Sequence, residues 1–339
     1  MITRRRILYR CSAALCAAVP NGWVHRAAAQ TTLDAGPTWL SAPALPLDVQ
    51  EIYPAVHAGE IWVAGGFTRS TGTLGATARV VAFDPGRQRW REAPDLPTPS
   101  HHVHLASVGG ALLAAGGFIG GDSLALWQAT PGVLRLEGEH WVDAEPLPRP
   151  IGEALPLKAA GRLHLIGGRS PTGSANAGWR DHADVDEHFV LDRGHWRRAA
   201  PLPLARNSHG GAVFEGELHI ISGRTVAGKN APQAAYHVYD PKTDRWREGP
   251  PFPEPRGGIA ATVWRGQLVA AGGERFDPPS VGRTIYALVA GRWTPFSTLP
   301  TPRHGHGLVA VGDALHALGG ASQPGASGTL STMDVLGVA

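Results

Sequence analysis

The stretch from Trp246 to Gly273 reads WREGPPFPEPRGGIAATVWRGQLVAAGG, and it decides the fold because the chain repeats its plan six times. A proline follows the tryptophan by seven residues, and an apolar strand pattern ends in a small-residue doublet that begins 26 residues after the tryptophan. The tryptophans are Trp39, Trp90, Trp141, Trp196, Trp246 and Trp293, the prolines Pro46, Pro97, Pro148, Pro203, Pro253 and Pro300, and the doublets Gly65-Gly66, Gly116-Gly117, Gly167-Gly168, Ser222-Gly223, Gly272-Gly273 and Gly319-Gly320. No copy contains a gap, so chance does not explain the pattern.

The spacing between successive tryptophans, 47 to 55 residues, is too long for a helical solenoid and fits a four-stranded repeat unit. The tryptophan, the proline and the glycine doublet are also features of the kelch repeat, so the chain resembles an all-β, six-bladed kelch β-propeller over residues 30–339. This resemblance is specific for the fold. It says little about function, since the fold hosts galactose oxidase, sugar mutarotases and protein-binding scaffolds.

The two ends of the repeat array are incomplete in complementary ways. Trp39 has no strands before it, while the last repeat ends at Ala339 after three strands and without a tryptophan of its own. We therefore predict that residues near Thr38–Ala42 form the outer strand of the last blade and close the ring, which removes an exposed sheet edge. The six tryptophans are predicted to pack between blades.

Residues 1–29 have the pattern of a twin-arginine signal peptide. A basic start with the run TRRRIL at 3–8 precedes an apolar stretch from Cys11 to Val24 and an AAA cleavage site at 27–29. A membrane anchor is the competing interpretation, but Pro20 and Asn21 interrupt the apolar run, which falls short of the roughly 20 residues that a span needs. We expect export through the twin-arginine machinery and a periplasmic or secreted location.

The charge balance excludes a nucleic-acid-binding surface. The chain has a formal net charge of +3, but residues 1–29 hold five arginines and no acidic residue, so 26 basic residues face 28 acidic residues in the rest. Both cysteines, Cys11 and Cys16, also lie in the signal segment. The exported protein is thus expected to have no thiol and no disulfide.

Candidate site residues come from loops that, in a propeller, open on one face around the central channel. Ten to fourteen residues past each tryptophan the six copies diverge, which a unit built only for packing does not require. From this segment we predict ligand-binding roles for Glu51, His102, His104, Arg206, Asn207, Arg256, Arg303 and His304. For the three arginines an alternative stays open, because arginine in this place is a common kelch residue that binds loop carbonyls.

Arginines past the doublets extend this set. Arg69 and Arg224 are predicted ligand-binding residues, since several guanidinium groups at one mouth suit a carboxylate or a sugar acid. A ring of solvated loop charges explains them equally well.

The third repeat is the longest, and its extra residues suggest a loop over the channel. Trp179, Arg180 and His182 lie in this loop and are predicted ligand-binding residues, with the indole offering a flat surface for a sugar ring. The alternation His182, Asp184, Asp186 and His188 could hold a divalent cation, but alternating polar residues at an exposed strand explain it too. We expect no metal and no cofactor here.

The histidines at 101, 102 and 104 invite comparison with galactose oxidase, but its cofactor is a tyrosine joined covalently to a cysteine. The exported chain has no cysteine, so copper-radical oxidation is excluded.

A second resemblance is to bacterial periplasmic kelch mutarotases of N-acetylneuraminate. Residues Gly273–Thr284, GERFDPPSVGRT, are similar to a family segment that carries a catalytic glutamate and arginine, although the loop is three residues longer here. The resemblance implies Glu274 as the base and Arg283 as the group that holds the substrate carboxylate. The expected function is binding of a small anionic carbohydrate, with mutarotation as the reaction. The alternative is a non-catalytic kelch scaffold for a protein or glycan partner.

Overall fold

The computed structural model describes residues 38–70, 72–120, 126–226 and 230–337. The chain divides into a unit Met1–Gly36, which lies outside the described residues together with the predicted signal peptide, and a unit Pro37–Ala339, which contains all the structure reported below. Among the residues described, no helix is long and apolar enough to cross a bilayer.

Six antiparallel sheets with four main strands each dominate the described residues, and the strand Pro279–Val281 is added to the fifth of them. In the first five sheets the main strands follow chain order from innermost to outermost. Blade 1 contains Ala55–His57, Glu60–Ala64, Val80–Asp84 and Arg89–Ala93, blade 2 His104–Val108, Ala111–Ala115, Val133–Glu137 and His140–Asp143, and blade 3 Leu155–Ala159, Arg162–Ile166, His188–Asp192 and His195–Arg198. Blade 4 contains Gly210–Phe214, Glu217–Ile221, Tyr236–Asp240 and Arg245–Glu248, blade 5 Gly257–Trp264, Gln267–Phe276, Thr284–Val289 and Arg292–Thr298, and blade 6 Gly307–Val311, Ala314–Leu318 and Met333–Leu336. The predicted all-β propeller architecture is confirmed.

Blade 6 takes its fourth strand from the other end of the unit. Trp39–Ala42 pairs antiparallel with Met333–Leu336, in a register that places Trp39 opposite Leu336 and Ala42 opposite Met333. The predicted pairing of this segment with the last repeat is therefore found. The innermost strands of neighbouring blades are also in contact, including those of blades 6 and 1.

The hydrophobic core lies between blades. The cluster between blades 1 and 6, for example, combines Ile61 and Phe83 with Val309, Leu318 and Met333, all of them buried. Burying such side chains stabilises the fold by about 1.5–3 kcal/mol each relative to exposure. Alternation along each strand supplies two apolar faces per sheet, so every blade packs on both of its neighbours.

The repeated tryptophans link consecutive repeats, in line with the predicted packing role. All but the first donate their indole N–H to a backbone carbonyl of the preceding repeat, at 2.7 Å for Trp141 to Pro94 and 2.9 Å for Trp90 to Pro43. Trp196, Trp246 and Trp293 make the equivalent bonds. The buried Nε1 of Trp39 has no hydrogen-bond partner among the described residues.

The doublets need glycine because neighbouring backbones approach closely there. Gly272 has φ 77°, and a Cβ atom on it would lie 2.4 Å from the carbonyl oxygen of Arg303 in the next repeat. Beyond the doublets, short strands form one end of the ring: Phe67–Thr68, Gly75–Ala76, Ser100–His101, Phe118–Ile119, Gln128–Ala129, Arg169–Pro171, His182–Asp184, Arg224–Thr225, Ala231–Pro232 and Pro279–Val281. A 3₁₀ helix, Trp179–Asp181, lies in the long loop of the third repeat.

Candidate functional site

Two positions of the repeat meet at this end of the ring. The residue 11 positions past each tryptophan pairs with the residue 28 positions past it, which brings the two predicted loops of each blade together. These mouth pairs are Gln50 with Phe67, His101 with Phe118, Gly152 with Arg169, Asn207 with Arg224, Gly257 with Glu274, and His304 with Ala321. The sequence divergence at these positions therefore gathers dissimilar side chains around one opening.

The next residue of each repeat adopts the left-handed conformation. Glu51, His102, Glu153, Ser208, Gly258 and Gly305 have φ values between 51° and 67°. Backbone N–H groups of this left-handed ring donate to carbonyls of neighbouring members, as in Glu51 to Gly305 at 2.7 Å and Gly258 to Ser208 at 2.8 Å. Four members are not glycine, and each such residue costs of order 1–3 kcal/mol, a strain that clusters at functional sites.

A cavity of about 190 Å³ opens at the mouth pairs. This mouth cavity is lined by Gln50, Glu51, Phe67, His102, Trp127, Trp179, Arg224, Asn230, Glu274, Phe276, Gly325 and Ala326. Four of the lining residues are aromatic and four are ionisable, so the cavity offers apolar ring faces beside hydrogen-bonding groups. It is smaller than the about 300–1,000 Å³ of pockets for drug-sized molecules, and it suits one compact ligand.

Arg224 connects three acidic or amide side chains of the site. Its Nη1 donates to Glu274 Oε1 at 2.6 Å, its Nη2 lies 3.6 Å from Glu153 Oε2, and its Nε donates to Asn207 at 3.1 Å. Burial opposes the charge on Arg224, but Glu153 and Glu274 outweigh it and raise the pKa. Glu274 Oε2 also accepts the N–H of Gly325 at 2.6 Å, which ties Glu274 down at both oxygens.

Glu51 lies between two imidazoles. Its Oε2 is 3.0 Å from His102 Nε2, and its Oε1 is 3.3 Å from His304 Nδ1. Burial tends to raise the pKa of Glu51, but the charges and hydrogen bonds of the two histidines hold it well below the usual range. In turn, the pKa of His304 is raised: burial lowers it, but Glu51 and Glu274 more than compensate.

Gln50 is the unexpected member of the lining. Its side chain is only 1% exposed, and neither its amide nitrogen nor its amide oxygen has a hydrogen-bond partner among the residues that the structure describes. A buried polar group without a partner costs about 1–3 kcal/mol. Gln50 is among the residues that line the cavity, so this unpaired amide lies at the cavity wall.

Several predicted site residues are assembled by the structure. Glu51, His102, Trp179, Arg224 and Glu274 line the mouth cavity. Asn207 and His304 lie directly behind it, in contact with Arg224 and Glu51. Arg69 is exposed at the rim and donates to the carbonyl of Ala326 at 2.8 Å.

Three of the predicted arginines serve the backbone instead. Arg206 donates to the carbonyls of Ser222, Ile220 and Leu204. Arg303 donates to the carbonyls of Gly319 and Thr332 and pairs with Asp334, while Arg256 binds Ser280 and Glu254. The structural alternative for these arginines therefore replaces the ligand-binding prediction, since their donors are directed to the protein itself.

Three other predicted residues also fall outside the cavity lining. His104 has both ring nitrogens engaged by backbone, at Ala115 O and Ala154 N. Arg180 is exposed in the 3₁₀ helix. His182 is buried and bonds Asn176.

Arg283 needs the largest correction. Its Nη2 donates to the carbonyls of Leu299 and Pro300, at 3.0 and 3.4 Å, and it is not among the residues that line the cavity. The residue paired with Glu274 is Arg224, 50 positions earlier in the chain. Glu274 and Arg283 flank a hairpin in which Glu274 pairs with Val281, and Arg283 lies beyond it, against Leu299 and Pro300.

The residues that sequence reasoning missed have an identifiable signal in two cases. Gln50 and Phe67 form a mouth pair, so positions 11 and 28 of the repeat would have singled them out. Trp127 lies in the irregular part of the second repeat, which no repeat position marks. Within the described residues, no group of three or more His, Asp or Glu side chains is arranged to hold a metal ion.

A second cavity, of about 380 Å³, occupies the central channel between the innermost strands. Glu51 lines both this channel and the mouth cavity, so the two spaces adjoin at the left-handed ring.

Comparisons with known proteins identify the class of protein. No family model matches the chain. Curated relatives include Kelch-like protein terF of Aspergillus terreus, 25% identical over 306 residues and 85% of this chain, and Kelch-like protein 34 of Homo sapiens, 30% identical over 269 residues and 72% of this chain. The chain spans 66% of the length of the first relative and 38% of the second.

Among solved structures, that of YjhT superimposes with a TM-score of 0.71 at 16% identity, covering 87% of this chain and 96% of the other. At this identity the likeness concerns the fold alone. Together with the six repeats, these matches show that the chain is a kelch-repeat protein with a propeller fold.

Proposed function

We propose that the protein binds a small carbohydrate in the mouth cavity. The observation that carries this proposal is the Gln50 amide, which is buried, unpartnered and placed among aromatic side chains. The hydroxyl groups of a sugar can donate hydrogen bonds to the amide oxygen and accept them from the amide nitrogen. The C–H face of a sugar ring can pack against Trp127 and Phe67. Carboxylate and guanidinium groups at the other side of the cavity complete a lining of the kind that orients hydroxyl groups.

An acidic sugar is the favoured ligand class. The case rests on Arg224 in the lining and Arg69 at the rim. Arg206, Arg256 and Arg303 are engaged by backbone carbonyls and, for the last two, by the carboxylates of Glu254 and Asp334. Arg224 already balances Glu274, so a carboxylate ligand would share its guanidinium rather than neutralise a free cation.

We further propose that the reaction is interconversion of sugar anomers. One group takes the proton of the anomeric hydroxyl while an acid protonates the ring oxygen, the ring opens, and it closes again on the other face. Positioned acid–base groups typically contribute about 10²–10⁴-fold. Glu274 and Glu51 are carboxylates of the lining, and the segment around Glu274 also resembles that of the sialic acid mutarotases.

Binding can be tested by calorimetric titration with N-acetylneuraminate, glucuronate and neutral glucose. Gln50→Leu, which keeps the volume and removes the amide, should weaken binding at least 10-fold. His195→Gln is the matched control, because His195 lies exposed on the outer strand of blade 3. Absence of binding for all three sugars, or equal affinities of the Gln50 variant and the wild type, would overturn the proposal.

Catalysis is tested separately by magnetisation exchange between ¹H signals that differ between the two anomers of a sugar that binds, such as the C3 protons of N-acetylneuraminate or the anomeric proton of glucuronate. Glu51→Gln and Glu274→Gln test the two carboxylates of the lining, and at least one of them should slow the exchange at unchanged or moderately reduced affinity. The second candidate function is a non-catalytic scaffold, favoured by Phe276, which is 38% exposed at the cavity and could contact a protein or glycan partner. Binding without accelerated exchange would support the scaffold.

Export and ring closure complete the proposal. The run at 3–8 would direct the folded chain through the twin-arginine machinery, and the Trp39–Ala42 pairing would hold the propeller closed after cleavage near Gln30. Replacing Arg4 and Arg5 by lysine should trap the protein in the cytoplasm; normal export of that variant would refute the signal.

A further inference from the structure

A chain of three side chains, His101, His102 and Glu51, runs from the protein interior to the mouth cavity. His101 Nε2 contacts the carbonyl oxygen of Leu126, the Nδ1 atoms of His101 and His102 are 2.7 Å apart, and His102 Nε2 is 3.0 Å from Glu51. Both histidines are at most 1% exposed. Only His102 and Glu51 line the cavity.

The carbonyl of Leu126 determines where the protons in this chain lie. A carbonyl only accepts hydrogen bonds, so His101 carries its proton on Nε2 and leaves Nδ1 as an acceptor. His102 must then donate from its Nδ1. Which nitrogen of an imidazole is protonated is set by the partner of the other nitrogen, so the tautomer of His102 is fixed by His101.

The same reasoning requires a proton between His102 and Glu51. A neutral His102 with its proton on Nδ1 would direct the lone pair of Nε2 at the Glu51 carboxylate, which is repulsive at 3.0 Å. The contact is favourable only if one proton lies there, on the imidazole or on the carboxyl group. The pair therefore holds one exchangeable proton at the wall of the cavity.

His101 is held neutral and rigid for this purpose. Its ring stacks between Phe67, at 3.9 Å between centroids, and Phe118, at 5.1 Å. Burial, followed by the charge of His102, keeps the pKa of His101 well below its usual range.

We propose that Glu51 and His102 form the proton-transfer pair of the mouth cavity and that His101 is the positioning residue that fixes the tautomer of His102. The catalytic part rests on the proposed function. In ring opening, Glu51 takes the anomeric hydroxyl proton, protonated His102 gives its Nε2 proton to the ring oxygen, the bond from the anomeric carbon to the ring oxygen breaks, and the carbonyl forms. Ring closure returns both protons, so the pair is restored without a co-reactant.

Other groups act on the pair and enter any pH profile. His304 faces Glu51 Oε1, and Tyr53, Arg224 and His306 interact with Glu51 electrostatically.

The positioning role is tested on the whole protein by ¹⁵N NMR of labelled histidine rings, which reports tautomers without any sugar. Wild type should show His102 protonated at Nδ1. His101→Asn places an amide oxygen near the former Nδ1 position and should keep this state, whereas His101→Phe preserves the stacking but offers no acceptor and should lose it. If His101 only filled space, His101→Phe would keep the wild-type state of His102 better than His101→Asn does. The inference is overturned if His102 of the wild type is unprotonated at Nδ1, or if the ring ¹⁵N signals of His102 in His101→Phe equal those of the wild type.

Anomer exchange provides the second readout. His102→Gln should lose about 10²-fold or more in rate, His101→Phe at least 10-fold, and His101→Asn should recover most of that loss. If the NMR order holds and no tested sugar is turned over, the proposed function fails while the positioning role stands. If exchange occurs and His101→Phe matches wild type in rate and tautomer, the proposed function stands and this inference fails.

Discussion

The ion pair of Arg224 and Glu274 should be strongly coupled, which a double-mutant cycle can measure. The two side chains are 10% and 3% exposed and meet at 2.6 Å. Removing one partner of a buried pair costs about 3–5 kcal/mol, because the other charge is left without compensation. The expected cost differs between the two residues, because their other contacts in the site differ.

Glu274→Gln should cost about 2–3 kcal/mol of the free energy of unfolding, below that range, because Arg224 keeps Glu153 at 3.6 Å and Asn207 at 3.1 Å. Arg224→Met should cost about 3–5 kcal/mol, since Glu274 and Glu153 then lose their common cation. In the double variant neither residue leaves the charge of the other unpaired. The double variant should therefore lose about 2 kcal/mol less than the sum of the two single variants.

Equilibrium unfolding in urea, with unchanged m-values as the criterion of two-state behaviour, gives the four free energies. The more exposed pair Arg91 and Glu60, which meet at 2.5 Å, is the matched control and should couple by less than about 1 kcal/mol. Additive costs for Arg224 and Glu274 would refute the description of the pair as desolvated and mutually dependent.

Three further predictions concern stability and binding. Burial lowers the pKa of His104 and of His306 to about 3, against roughly 6.5 in the unfolded chain, so below pH 6.5 the unfolded chain binds more protons and the free energy of unfolding falls toward pH 3. At pH 4.5 each histidine should lower the free energy of unfolding by roughly 2–3 kcal/mol relative to neutral pH. Unfolding measured at several pH values checks this, and a constant free energy of unfolding from pH 6.5 to 4.5 would contradict it. Arg206→Met should destabilise by about 3 kcal/mol or more, since it orphans buried carbonyls, yet leave sugar affinity unchanged; weaker binding by the folded variant would reinstate Arg206 as a ligand residue. Trp127→Ala should weaken the binding free energy of neutral and acidic sugars alike by about 0.5–1.5 kcal/mol, measured by calorimetry. A loss of affinity restricted to acidic sugars would exclude stacking on Trp127.

The fold could be predicted from the sequence because its signal is repeated. Six copies of one spacing indicate six sheets, and a lone tryptophan at the start with a missing strand at the end indicates the pairing of Trp39–Ala42 with Met333–Leu336. Packing between blades requires the same residue types in every copy, so the same pattern is visible in all six repeats.

The site could be predicted only in part, because it depends on where individual side chains find partners. Glu51 and His102 stand out by their divergence, but so does Arg206, and the sequence does not show that backbone carbonyls occupy the guanidinium of Arg206. Arg283 was placed by resemblance, and the hairpin that follows Glu274 directs it to Leu299 and Pro300 instead.

The sequence also could not identify the free amide of Gln50, because an unpaired group is defined by what surrounds it in three dimensions. Pairing of repeat positions 11 and 28 is the rule that would have brought Gln50 and Phe67 into consideration.

The most direct test of the account is a crystal structure of the protein with a sugar acid that binds in solution. The account predicts the sugar in the mouth cavity, with a hydroxyl or carbonyl group hydrogen-bonded to the Gln50 amide and a ring face against Trp127. A sugar bound elsewhere, with the Gln50 amide bonded only to protein groups, would contradict it.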